Sequence, residues 1–158
     1  MLWLVLYIMS IWLANWLVVT LGPVPVGLGL LAPAGVYAAG LTFTLRDLTQ
    51  DSLGKRPVIL AILLGALLSG ALSMQLALAS GTAFLLSEIA DLFVYTPLRQ
   101  RRWLLAVAAS NVVGFVVDST LFLFLAFGSL AFLPGQLVGK ASMTILAVLV
   151  LSVYRRLR

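Results

Sequence analysis

The stretch LTFTLRDLTQDSLGKR from Leu41 to Arg56 follows an apolar helix and places Arg46 and Asp47 where a lipid-spanning segment should carry no charge. Each charge so placed costs roughly 2.5–3.5 kcal/mol on insertion scales. On a helix Arg46 and Gln50 share one face while Asp47 and Asp51 share the neighbouring one, so donors and acceptors point into common polar space. Further constellations repeat the pattern. Glu88, Asp91 and Tyr95 stand at i, i+3 and i+7, which sets two carboxylates and a phenol on a single face. Asn111 and Asp118 are seven residues apart, two turns of helix, with Gly114 and Phe115 between them. Lys140 lies in the first half of the last apolar run, and Asn15 stands beside Trp16 in the first.

These residue types exclude a good deal of chemistry. The chain has no His and no Cys, which removes the commonest proton relay, disulfides and thiolate metal sites. Its serines have no convincing base beside them. Neither Gly54-Lys55 nor Gly139-Lys140 is followed by Ser or Thr, as a phosphate-binding loop requires. The expectation is a protein that is not an enzyme, with no cofactor and no metal. Recognition of a small molecule fits better. Carboxylates accept paired N–H groups, Arg and Asn serve the opposite edge, and rings such as Tyr37, Phe43, Phe84 and Phe115 stack on a planar ligand. Once Asp47 is paired with Arg46, the acids Glu88, Asp91 and Asp118 outnumber Arg46 and Lys140, which favours a ligand that is cationic or rich in N–H donors. The candidate substrate-binding residues are therefore Glu88, Asp91, Asn111, Asp118, Arg46, Asn15, Phe115 and Lys140. Asp47, Gln50 and Asp51 form a candidate structural charge cluster.

The elements that must position these groups follow from composition. Hydrophobic residues make up 63% of the chain and charged ones 9%, far from a soluble domain. The apolar runs are continuous, so the predicted fold class is all-α and integral to the membrane, not a β-barrel. The 158 residues allow about six spans in one domain covering 1–158. Those spans are predicted at about 2–21, 33–50, 57–79, 81–97, 103–128 and 133–154. The N-terminal run lacks a basic leader and reads as a retained first span. An uncharged loop, GPVPVGLGL, should follow it, with Pro33 opening the second span and Gly81 the fourth. Ala61, Gly65, Ser69 and Ser73 recur every fourth residue as a small-residue ridge for close helix packing.

Basic residues cluster after the second and fourth spans and at the C-terminus, Tyr154-Arg155-Arg156-Leu157-Arg158, which places both termini in the cytoplasm. That explains the net charge of +5 by orientation in a bilayer, with no nucleic-acid partner. Depth along the helices then predicts an outer tier of Glu88, Asp118 and Lys140 above a deeper tier of Arg46, Asp91 and Asn111. The charges should neutralise one another in a closed polar cluster.

Several of these segments together resemble one family. Asn15-Trp16, Pro33-Ala34-Gly35 and LTFTLRDLTQDSLGKR in the first half, then AFLLSEIADLFVYTPLRQRR, Ser110-Asn111 and VVDSTLFLFLAFG in the second, look like the vitamin-uptake-like queuosine precursor transporters. The resemblance runs from Asn15 to about Lys140 and departs at Gln50-Asp51. It implies a six-helix fold similar to the substrate-binding components of energy-coupling-factor vitamin transporters, working without an ATPase partner in a prokaryotic inner membrane. The implied substrate is a purine-like 7-deazaguanine, the nitrile or aminomethyl precursor of queuosine. A carboxylate among Glu88, Asp91 and Asp118 would take its N–H edge, and Asn111 or Arg46 its carbonyl edge. A vitamin-binding component that docks on a separate energising module and a membrane scaffold without transport are the competing readings. Monomer and homodimer are both open.

Overall fold

The computed structural model describes residues 1–156. The chain forms α1 (Leu2–Leu21), a hairpin of β1 (Pro23–Gly27) and β2 (Leu30–Pro33), then α2 (Val36–Leu53), α3 (Lys55–Gly70), α4 (Met74–Leu98), α5 (Trp103–Phe127) and α6 (Leu133–Arg156). Leu157 and Arg158 of the C-terminal basic cluster lie outside the described residues.

Helices α1, α4, α5 and α6 are each long and apolar enough to cross a membrane. Their outward faces carry side chains such as Leu78, Phe93, Phe124 and Ile145, each more than half exposed. Water would not tolerate such a surface, and a bilayer does. The chain is a multi-pass membrane protein. Six helices were expected and six are present among the described residues, but α2 and α3 do not qualify as spans by length and composition. Helix α3 has 16 residues, about 24 Å at the helical rise, against a hydrocarbon core of about 30 Å.

Helix α2 has a different reason. It packs against every one of the other five helices, and from Thr42 to Asp47 each residue is buried whichever way it points. Its charged side chains therefore meet protein on all sides, which is how ionisable groups persist at membrane depth.

Three boundaries differ from those expected. The 57–79 run is not one helix. It breaks at Ala71, Leu72 and Ser73, where the Ser73 hydroxyl caps α4 by accepting from the Leu76 N–H. Helix α4 thus starts at Met74 and Gly81 lies inside it. The small-residue ridge holds for Ala61, Gly65 and Ser69, all buried. A Cβ at Gly65 would fall 2.5 Å from the Ile11 side chain, so α1 and α3 approach as closely as they do because that position is bare. Ser73 has left the ridge for its capping role.

The loop GPVPVGLGL is instead the antiparallel hairpin, an addition to an otherwise all-helical fold. Pro23 and Pro25 hold the chain extended without donating to a ladder, and Gly27, Leu28 and Gly29 turn it with three successive positive φ values. The Ala34 N–H bonds to Gly22 O at 2.9 Å and closes the base. Pro33 therefore ends β2, and α2 opens at Val36. The hairpin sits on the start of α6, where a Cβ at Gly135 would fall 2.0 Å from the Leu31 carbonyl oxygen.

Candidate functional site

Two polar assemblies occupy the interior. The deeper one is centred on Arg46. Its Nη1 lies 2.7 Å from Asp47 Oδ1, its Nε donates to Glu88 Oε2 at 2.9 Å, and its Nη2 pairs with Asp91 Oδ2. All four side chains are fully buried. The Tyr95 ring covers the guanidinium, its centroid 5.3 Å from Cζ. Gln50 accepts from Arg46 at 3.4 Å and donates to Thr96 at 3.3 Å. The Ser110 hydroxyl donates to Asp47 Oδ2 at 3.5 Å, and Asn111 donates to Thr44 at 3.0 Å. Helices α2, α4 and α5 are thereby tied by one guanidinium and three carboxylates. Such an assembly holds only while its partners stay together, because each ion alone would lack solvation.

The expected pairing of Arg46 with Asp91 is present, and the two expected tiers differ only in the place of Glu88. Glu88 belongs to the Arg46 assembly, not to an outer tier with Asp118 and Lys140. The cause is the earlier start of α4. With Met74 as its first residue, Glu88 stands fourteen residues along the helix, not seven. Asp51 likewise separates from Asp47 and Gln50. It lies at the emerging end of α2, where it accepts from Tyr95 Oη at 2.7 Å, from Arg99 Nη1 at 3.0 Å and from Trp103 Nε1. It fastens the ends of α2, α4 and α5 at the basic face of the molecule.

The second assembly is Lys140 with Asp118 and Ser119. Lys140 Nζ is paired with Asp118 Oδ2 and donates to Ser119 Oγ at 2.9 Å. This pair borders a cavity of about 40 Å³ lined by α1, α2, α4, α5, α6 and the end of the hairpin. Phe43, Phe84 and Phe122 give it aromatic walls. Phe43 and Phe84 stand one helical turn before Arg46 and Glu88 on their own helices, so they form a floor between the cavity and the deeper charges. Asn15 lines the cavity from α1. Both hydrogens of its amide nitrogen are committed, to Ile11 O at 3.1 Å and to Ser69 Oγ at 2.8 Å, so it presents its carbonyl oxygen.

Of the residues singled out from the sequence, Asn15, Asp118 and Lys140 come together around the cavity, with Phe43 and Phe84. Arg46, Glu88, Asp91 and Asn111 gather one layer deeper. Phe115 is buried on α5 outside the cavity wall, and Tyr37 is 39% exposed at the surface. Among the lining residues that escaped the sequence reading, two stand out. Phe122 is one turn beyond Asp118, and Gln136 is one turn before Lys140 on the same face of α6. That i, i+4 spacing to a buried lysine was the available signal for Gln136.

Residues 69–155 match the family model described as "Putative vitamin uptake transporter". The matched stretch is more than half of the chain. It takes in α4, α5 and nearly all of α6, and with them Glu88, Asp91, Asn111, Asp118 and Lys140. No curated protein and no solved structure matches the chain.

Proposed function

We propose that this chain, which belongs to the vitamin uptake transporter family, carries a flat, donor-rich nitrogen heterocycle across the cell membrane. We take its substrate to be a 7-deazaguanine precursor of queuosine, and its role to be transport without chemical conversion. The observation that carries this reading is the composition of the cavity wall. It presents acceptors in the Asn15 carbonyl and the Asp118 carboxylate, beside Gln136 and Lys140, set with the phenyl rings of Phe43, Phe84 and Phe122. Aromatic walls favour a planar ring, and unspent acceptors favour one with N–H groups at its edge. A 7-deazaguanine offers both.

In this reading Asn15, Asp118 and Lys140 contact the substrate, and Phe115 backs the cavity from α5. Arg46, Glu88, Asp91 and Asn111 form the rigid layer beneath, holding α2, α4 and α5 so that Phe43 and Phe84 keep their places. The basic residues Lys55, Arg56, Arg99, Arg101 and Arg102 lie at the cytoplasmic face, where both termini also emerge. The uncharged hairpin and the α5–α6 connection face outward, so the cavity sits nearer the outer side.

Uptake of radiolabelled precursor into cells that cannot make queuosine tests the proposal. Expression of the chain should raise uptake, and Asp118→Asn should abolish the gain when uptake is normalised to the folded protein in the membrane. Uptake unchanged by expression of the wild-type chain overturns it.

A further inference from the structure

Gln136 is 3% exposed, and its amide oxygen is sealed from solvent with no hydrogen-bond partner among the described residues. A buried amide oxygen without a partner is costly, because it has given up its hydrogen bonds to water and gained none in return. It is uncommon unless something else satisfies it. Here the group borders the cavity, on the wall shared with Lys140 and Asp118. The backbone that carries it is fixed. The Gln136 N–H donates to Phe132 O at 2.9 Å in the first turn of α6, and the preceding residue, Gly135, is pressed against the Leu31 carbonyl.

We infer that Gln136 is a specificity-determining residue that binds a lactam edge, a ring N–H next to a ring C=O, through two parallel hydrogen bonds. A primary carboxamide carries one acceptor and one donor side by side, the complement of a lactam. The lactam N–H donates to Gln136 Oε1, and the Gln136 amide nitrogen donates to the lactam oxygen. Asp118 lies one helix away, its Oδ2 engaged by Lys140. Its other oxygen takes an exocyclic amine on the same side of the ring. A heterocycle without the lactam leaves the amide as unsatisfied as it is in the empty cavity, so it is rejected by loss of affinity and not by size. This assignment rests on the heterocycle reading given above and adds which edge of the ring is read, and by which residue.

The test is ligand binding to purified full-length protein in detergent, read by thermal shift and by calorimetry. Three probes serve: 7-deazaguanine, its 1-methyl derivative in which the ring N–H is blocked, and 2-amino-7-deazapurine, which lacks both the carbonyl oxygen and the neighbouring ring N–H. Wild type should bind 7-deazaguanine about tenfold or more tightly than either analogue, the effect of about two ordinary hydrogen bonds. Gln136→Met, close in size but without donor or acceptor, should bind all three alike, at the affinity wild type shows for the analogues. A preference that survives in Gln136→Met overturns the inference. So does wild type that treats the three probes equally, a comparison that stands even where the variant fails to fold. Wild type that binds none of the three overturns the heterocycle reading itself.

Discussion

Lys140 on α6 is paired with Asp118 on α5 at the edge of the cavity, with the lysine 1% and the aspartate 12% exposed. Lys140 is only seven residues into α6, yet it does not extend toward an interface; it turns inward to Asp118 and Ser119. Breaking a buried pair from one side leaves an ion without a partner, at about 3–5 kcal/mol. Lys140→Met and Asp118→Asn should therefore each lower the amount of monodisperse protein extracted from membranes. The double variant should recover much of that amount without recovering ligand binding. A double variant no more stable than the worse single one would show that the pair does not act as a unit.

The Arg46 assembly makes an asymmetric prediction. One guanidinium serves Asp47, Glu88 and Asp91, so removing it strands three carboxylates at once. Removing one carboxylate's charge relieves repulsion among the others. Arg46→Gln should reduce folded protein in the membrane severely, the loss exceeding about 3–5 kcal/mol of stability. Glu88→Gln keeps an acceptor for Arg46 Nε and should leave the melting temperature within a few degrees of wild type. Melting curves of the two variants in one detergent decide it. Comparable losses in both would mean that geometry, and not charge, holds α2 to α4.

How far the sequence could be read depended on what kind of signal each residue carries. Charges inside apolar runs must find partners, so the association of Arg46 with Asp91 was legible from cost alone. The depth of Glu88 was not, because it depended on where α4 begins. The only mark of that start is Ser73, one small polar residue in a run that otherwise continues from Pro57 to Ala79. Its capping role moved Glu88 from the cavity tier to the Arg46 layer. The hairpin was illegible for a related reason. Pro23 and Pro25 argue against a ladder, and a two-stranded ribbon is tolerated here because α6 lies against it at Gly135. Gln136 carries no charge, and an isolated glutamine near a helix start draws no attention until its neighbours are known.

The seat of the hairpin on α6 should be sensitive to a single methyl group. At Gly135 the added carbon would meet the Leu31 backbone, which cannot swing aside as a side chain can. Gly135→Ala should displace the hairpin from α6, shift Gln136 beside it, and lower stability by about 1–3 kcal/mol. Gly81→Ala is the control. Its new carbon, on α4, would stand 3.3 Å from the Ala66 Cβ of α3, and the small clash is partly offset by the better helix propensity of alanine. Thermal unfolding should separate the two clearly. Equal melting temperatures would mean that the contact between hairpin and helix contributes little.

The absence of cysteine makes access to the cavity directly measurable, since any thiol introduced is the only one in the chain. Ser80 lines the cavity from α4 and is partly buried; Ser80→Cys is a close substitution in size. If the cavity opens outward, a membrane-impermeant thiol reagent added to intact cells should modify Ser80→Cys. Saturating 7-deazaguanine should then slow that modification several-fold by occupying the same space. Ser129→Cys, in the exposed connection between α5 and α6, should react at a rate indifferent to the ligand. Protection at both positions would indicate a general tightening of the protein. Modification of Ser80→Cys only after permeabilisation would place the opening on the cytoplasmic side and reverse the proposed orientation.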